Sequence, residues 1–206
     1  MTAALVVAYL LTGSRAEGGA AFRAGGADAE RILAGEVWRS VTALTLHADL
    51  SHLVANATAG AFLATAVCRM LGGGLGALLI VTAGAAGNLL NSVLNGPPHV
   101  SVGASTAVLG AVGLLSGLAF ARTRKTKRGR RRAWLPLGAG LALLGMLGAD
   151  PHTDLGAHLC GFMMGIGLGA VCGWTMPAVP GQGLQRVLGA VALAAVLVSW
   201  WLALRA

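Results

Sequence analysis

The 206-residue chain is 56% hydrophobic and 11% charged, with a mean hydropathy of +0.74. A water-soluble domain carries about 25% charged residues, so this composition excludes an ordinary soluble fold. The formal charge of +8 does not point to nucleic acid. Eight of the 15 Lys and Arg crowd between Arg122 and Arg132 with no acid among them, the pattern of a cytoplasmic loop under the positive-inside rule.

Apolar runs of about 15 to 24 residues recur along the chain, the length needed to cross a hydrocarbon core of about 30 Å. The expected class is therefore an all-α polytopic membrane protein in a lipid bilayer. Cys68, Cys160 and Cys172 fall in or beside apolar runs and read as small packing residues; neither a disulfide framework nor a zinc spacing is present.

In chain order, residues 1–13 form a first apolar segment that spans only about 20 Å at 1.5 Å per residue. It lacks the basic start and the cleavage site of a signal peptide. The expectation is a first membrane helix that begins upstream of Met1 or sits tilted in a thinned bilayer. Residues 14–46 hold four of the seven acids and four arginines, and make a long extracytoplasmic loop with a short amphipathic helix near Ala27 to Leu33. Trp38-Arg39 places an indole beside a guanidinium, an ordinary interfacial anchor.

The second crossing, at about 49–70, carries His47-x4-His52-x3-Asn56 around its start. His52 and Asn56 are four apart and share one helical face. Polar side chains at that depth need partners and face the bundle interior. The third crossing, 75–94, has Asn88 and Asn91 in its later turns, and Gly96-Pro97-Pro98 breaks the chain after it. The fourth, 103–121, opens on Gly103-Ala104-Ser105 and bears glycines at 110, 113 and 117. After the basic loop at 122–132 comes a fifth crossing at 134–148 and a turn at Asp150-Pro-His152-Thr-Asp154. Asp154 is a helix N-cap for the sixth crossing, 154–175. A seventh runs over 184–204.

Topology brings these residues to one layer. A cytoplasmic basic loop makes the fourth crossing run from outside to inside, and parity gives the second and sixth the same direction. His52, Asn56, Ser105 and His158 then all lie near the extracytoplasmic side, and nothing in the third, fifth or seventh crossing matches that placement. Gly161, Gly165 and Gly169 recur every four residues, a small-residue ridge along which another backbone can approach. The expectation is close packing of the fourth and sixth crossings, which draws Ser105 toward His158.

Together, Trp38-Arg39, His47-x4-His52-x3-Asn56, Gly103-Ala-Ser105 and Ala157-His158-x-x-Gly161-x3-Gly165 resemble the rhomboid intramembrane serine proteases, in the family's order and over nearly the whole chain. The bias toward Ala, Gly and Arg points to a GC-rich bacterial genome. The resemblance implies six core membrane helices plus a C-terminal seventh, with no cofactor and no metal. It implies that Ser105 is the nucleophile and His158 its general base, and that His52, Asn56 and the Ser105 backbone N–H hold the oxyanion. Gly103, Ala104, His47 and Gly161 would shape the site, and Trp38 and Arg39 would position the first loop. Substrates would be single-pass membrane proteins that approach laterally near the fifth crossing, in the cell (inner) membrane, with the site open to the extracytoplasmic side.

Two positions depart from the family's pattern: Thr106 stands where Gly usually follows the serine, and Leu109 where an aromatic ring usually stacks on the catalytic histidine. A rhomboid fold used without catalysis, as a membrane chaperone or adaptor, is the alternative. A metal or ion path through His47, His52, His99, His152 and His158 lacks the acids or cysteines to complete it.

Overall fold

The computed structural model describes residues 2–17, 19–124, 132–147 and 154–206. Most of the basic stretch expected at 122–132, and the 150–153 turn with His152, lie outside the described residues. Ten α-helices run through the rest: α1 (Thr2–Thr12), α2 (Ala20–Gly25), α3 (Ala29–Leu33), α4 (Arg39–Thr42), α5 (Leu50–Leu71), α6 (Gly73–Asn95), α7 (Ser105–Arg124), α8 (Leu135–Leu147), α9 (Leu155–Thr175) and α10 (Gln182–Ala203). Five of these, α5, α6, α7, α9 and α10, are long and apolar enough to cross a bilayer. Seven crossings were the expectation. The described parts of the other two expected crossings, the 11 residues of α1 and the 13 of α8, cover about 17 and 20 Å.

Helix α7 is the axis of the bundle. Most of its residues are buried, whereas α10 shows an apolar surface along most of its length. An element that is apolar all round belongs in the middle, and one that buries only a stripe belongs at the lipid boundary. Around α7, Leu114, Leu118, Val67, Ile80 and Cys172 form one core layer. Val108, Leu109, Val112, Leu144 and Phe162 form another.

Glycine sets the contact between α7 and α9. A methyl group added to Gly161, Gly165 or Gly169 would overlap the carbonyl of Thr106, Gly110 or Leu114. In the reverse direction, one added to Gly113 or Gly117 would overlap the carbonyl of Phe162 or Ile166. The two backbones therefore touch along their length, which dispersion contacts can stabilise in a lipid-like setting.

The first loop is built rather than loose. Between α1 and α5 it contains α2, α3, α4, two 3-10 turns (Arg15–Glu17 and Ala43–Thr45) and strand β1 (Ala27–Asp28). Strand β1 pairs antiparallel with β2 (Val100–Ser101), in the register Ala27 to Ser101 and Asp28 to Val100. Arg39 does not sit at an interface as an anchor would. It is 2% exposed, and its guanidinium donates to the Arg23 carbonyl at 2.9 Å, the Gly26 carbonyl at 3.2 Å and the Glu36 carboxylate at 2.5 Å. A charge taken this far out of lipid and water needs such a full set of acceptors.

Candidate active site

The site is assembled where α5, α7 and α9 begin. Helix α5 starts at Asp49, whose carboxylate accepts from the His52 N–H at 2.8 Å and the Ser51 hydroxyl at 2.6 Å. Those two bonds hold the Asp49 carboxyl below the usual carboxylate range. Fixing the first turn fixes the His52 ring. Its Nδ1 accepts from the Ala48 N–H at 3.4 Å, so the neutral ring carries its proton on Nε2.

The Cε1–Nε2 edge of that ring lies against Gly103. A Cβ built at Gly103 would lie 2.6 Å from Cε1 and 2.8 Å from Nε2 of His52, and 3.5 Å from the Ser105 hydroxyl oxygen. Gly103 also has φ +125°, a conformation that L side chains rarely adopt. Glycine is thus demanded twice, by the backbone and by the approach of the imidazole. The Gly103 N–H donates to the Ala43 carbonyl at 2.9 Å, which ties the turn before Ser105 to the first loop. Ala104 is buried against Leu5 and Leu53.

Asn56, one turn beyond His52, is buried, and its side-chain N–H group has no partner among the described residues. An unsatisfied buried donor is uncommon and calls for a reason. His47 packs edge-on against His52 at 5.3 Å between ring centroids. It is fully buried, and burial, reinforced by the neighbouring His52, pushes its pKa down to about 4, while the Thr45 backbone opposes the shift. It is a neutral imidazole at physiological pH.

His158 is buried in the first turn of α9, with His52 and Asp154 within electrostatic reach. Its Nδ1 has no hydrogen-bond partner, and the described residues show no direct bond from its ring to Ser105. The helices that carry the pair are nonetheless in contact beside them: Gly161, three residues after His158, lies against Thr106, the residue after Ser105. The Thr106 side chain fills a cradle in which a methyl at Gly87 would come within 2.8 Å of it and one at Gly161 within 2.9 Å. Leu109 packs with Val108, Val112, Leu144 and Phe162.

Of the sequence-derived candidates, His52, Gly103 and Ser105 meet around one turn, His47 backs His52, and Gly161 lies against the residue after Ser105, whereas among the described residues neither Asn56 nor His158 is bonded to Ser105. Trp38 and Arg39 are engaged in the first loop. At the same end Asp154 is the helix cap expected of it, and sequence reasoning missed the polar group gathered on its second oxygen. Asp154 caps α9 by accepting from the Ala157 N–H at 2.9 Å, and its other oxygen accepts from Ser101, from His99 at 2.8 Å and from Asn91 at 3.1 Å. Asn91 lies on the third crossing, which was expected to contribute nothing here. That crossing runs the opposite way, so its last turns, not its first, reach this end of the bundle. Among the described residues no three His, Cys, Asp or Glu side chains are placed to share a metal ion.

Five helices able to cross a bilayer, with polar groups gathered inside one end of the bundle, define a multi-pass membrane protein. Comparison with known proteins gives that class a family. Residues 34–175 match the rhomboid domain model. Rhomboid protease GluP of Bacillus subtilis (strain 168) is 31% identical over 174 residues, which are 82% of this chain and 32% of GluP. RHOMBOID-like protein 1 of Arabidopsis thaliana is 36% identical over 137 residues, 66% of this chain and 34% of that protein. YdcA of Bacillus subtilis is 30% identical over 138 residues, 67% of this chain and 68% of YdcA. This chain belongs to the rhomboid family, which includes both intramembrane proteases and inactive rhomboid-like proteins. It spans about a third of the length of GluP and of RHOMBOID-like protein 1.

Proposed function

We propose that the chain is a serine endopeptidase that cuts single-pass membrane proteins near the extracytoplasmic face of the inner membrane. Ser105 is the nucleophile and His158 the general base that takes its proton and returns it to the leaving amine. His52 Nε2–H, the Asn56 amide and the Ser105 backbone N–H hold the oxyanion, each donor contributing about 3 to 4 kcal/mol in a site of low dielectric. The start of α7 adds its positive dipole end. Gly103 and Ala104 shape the turn into the nucleophile. His47 backs His52, Gly161 keeps α9 close, and Trp38 and Arg39 hold the first loop.

The observation that carries this reading is the turn at Gly103, where a tautomer-fixed N–H of His52 and the hydroxyl of Ser105 flank one glycine. The unpartnered amide of Asn56 supports it, as a donor left free for a ligand.

The alternative, a rhomboid fold acting without catalysis as a chaperone or adaptor, draws on the missing hydrogen bond between Ser105 and His158. Such bonds are commonly long until substrate binds. Labelling of the detergent-solubilised protein by a fluorophosphonate serine probe decides between them. Under the protease reading the wild type labels, and Ser105→Ala and His158→Ala do not. A folded wild type that resists the probe sinks that reading.

A further inference from the structure

Two residues that carry no proposed chemistry stand at matching places. Ser101 lies four residues before Ser105, in the extended lead-in to α7. Asp154 lies four residues before His158, at the cap of α9. They bond to each other through the Ser101 hydroxyl and Oδ2 of Asp154.

We propose that Asp154 is a positioning residue, a clamp whose two carboxylate oxygens hold the helix of the general base and the lead-in of the nucleophile in one fixed relation. This rests on the assignment of Ser105 and His158 above. Oδ1 accepts from the Ala157 N–H at 2.9 Å, immediately before His158. Oδ2 faces Ser101 Oγ, His99 Nε2 at 2.8 Å and Asn91 Nδ2 at 3.1 Å. These three groups lie 3.0 to 3.2 Å from one another. Donors converge there on one acceptor, so His99 presents its N–H at Nε2.

The rest of the lead-in is fastened to match. The His99 carbonyl accepts from the Ala29 N–H at 2.9 Å, and β2 pairs with β1. Asn91 is itself held by Asn95, whose side-chain N–H donates to its Oδ1 at 2.8 Å. Gly156 lets this group close in: a Cβ there would come 2.6 Å from Asn91 Oδ1. The end of α6, the lead-in to α7 and the start of α9 thus meet at one carboxylate. Helix capping alone needs one oxygen, and serine or asparagine supplies it nearly as well as aspartate. The second oxygen, with three donors on it, requires another explanation.

The clamp is separated from the cap by Asp154→Ser, which keeps a capping oxygen but cannot span to Ser101, and by Ser101→Ala, which leaves the cap untouched. Probe labelling and cleavage of a model transmembrane substrate are measured in each, in the double variant and in the wild type, with thermal unfolding beside them. The expected result is a roughly tenfold or larger fall in kcat and labelling rate in each single variant, with KM unchanged. The double variant should be no slower than Asp154→Ser alone, because both break the same link. Wild-type rates in Asp154→Ser would make the residue a cap only, and multiplying losses in the double variant would make the two residues independent; either overturns the clamp. If the wild type itself fails to label, the nucleophile assignment falls. The clamp is then judged on unfolding, where simple addition of the two Tm losses overturns it and their non-addition upholds it.

Discussion

Replacement of Gly161 by Ala probes the contact on which the site depends. A Cβ there would sit 2.9 Å from Cγ2 and 3.0 Å from the carbonyl carbon of Thr106, and closer still to its oxygen. Ordinary contacts of a Cβ begin at 3.4 Å. The obstacle is backbone, which cannot rotate aside, so α9 must move away from α7 by several tenths of an ångström or more. Overpacking of this kind costs about 3 kcal/mol, and a displacement near 1 Å between reacting groups costs on the order of a hundredfold in rate. Gly167 on the same helix is the control: it is exposed and an added methyl meets nothing within 4 Å. Gly167→Ala should be neutral or stabilising by about 0.5 to 1 kcal/mol, since alanine favours the helix. Thermal unfolding and probe labelling in one detergent compare the two. Equal stability and equal labelling of Gly161→Ala and Gly167→Ala would refute the close-contact account.

Other consequences are as direct. His47, held near pKa 4 when folded against an ordinary 6.5, stays neutral where the unfolded chain takes up a proton. Stability should therefore fall as pH drops from about 7 to 4, by roughly 3 kcal/mol, and His47→Leu should flatten that slope in unfolding measured against pH. Arg39→Lys keeps the charge but loses the fork that reaches two carbonyls and a carboxylate. Unfolding should show a loss of roughly 2 kcal/mol. Gln185 on α10 accepts from the Leu75 N–H and donates to the Leu71 carbonyl, both at 2.9 Å, clasping the turn between α5 and α6. Gln185→Leu should cost about 1 to 2 kcal/mol of stability and leave probe labelling unchanged.

The membrane class and the long helices were legible in the sequence because a run of apolar residues must satisfy its own backbone, and only a helix does so in lipid. The glycine ridge of α9 was legible for the same reason: spacing of four places small residues on one face whatever their neighbours. The first loop was not. Its pieces are two to six residues long and hold their shape through distant partners, as Arg39 does on Arg23 and Gly26 and β1 on β2. Within the candidate site, His52 and Asn56 could be paired by their spacing, and Ser105 and His158 by parity. Parity compared only the starts of helices running one way, so it passed over Asn91 at the end of the antiparallel α6. The second oxygen of Asp154 was hidden as well, since a cap needs one oxygen and a sequence does not reveal what the other meets.

The central claim is best tested by reconstituting the protein in liposomes with a single-pass transmembrane substrate and identifying the products by mass spectrometry, with and without a chelator. The account predicts one cut near the extracytoplasmic end of the substrate helix, unaffected by the chelator and lost in Ser105→Ala and His158→Ala. A folded wild type that leaves the substrate intact, or a Ser105→Ala variant that still cuts it, would contradict the account.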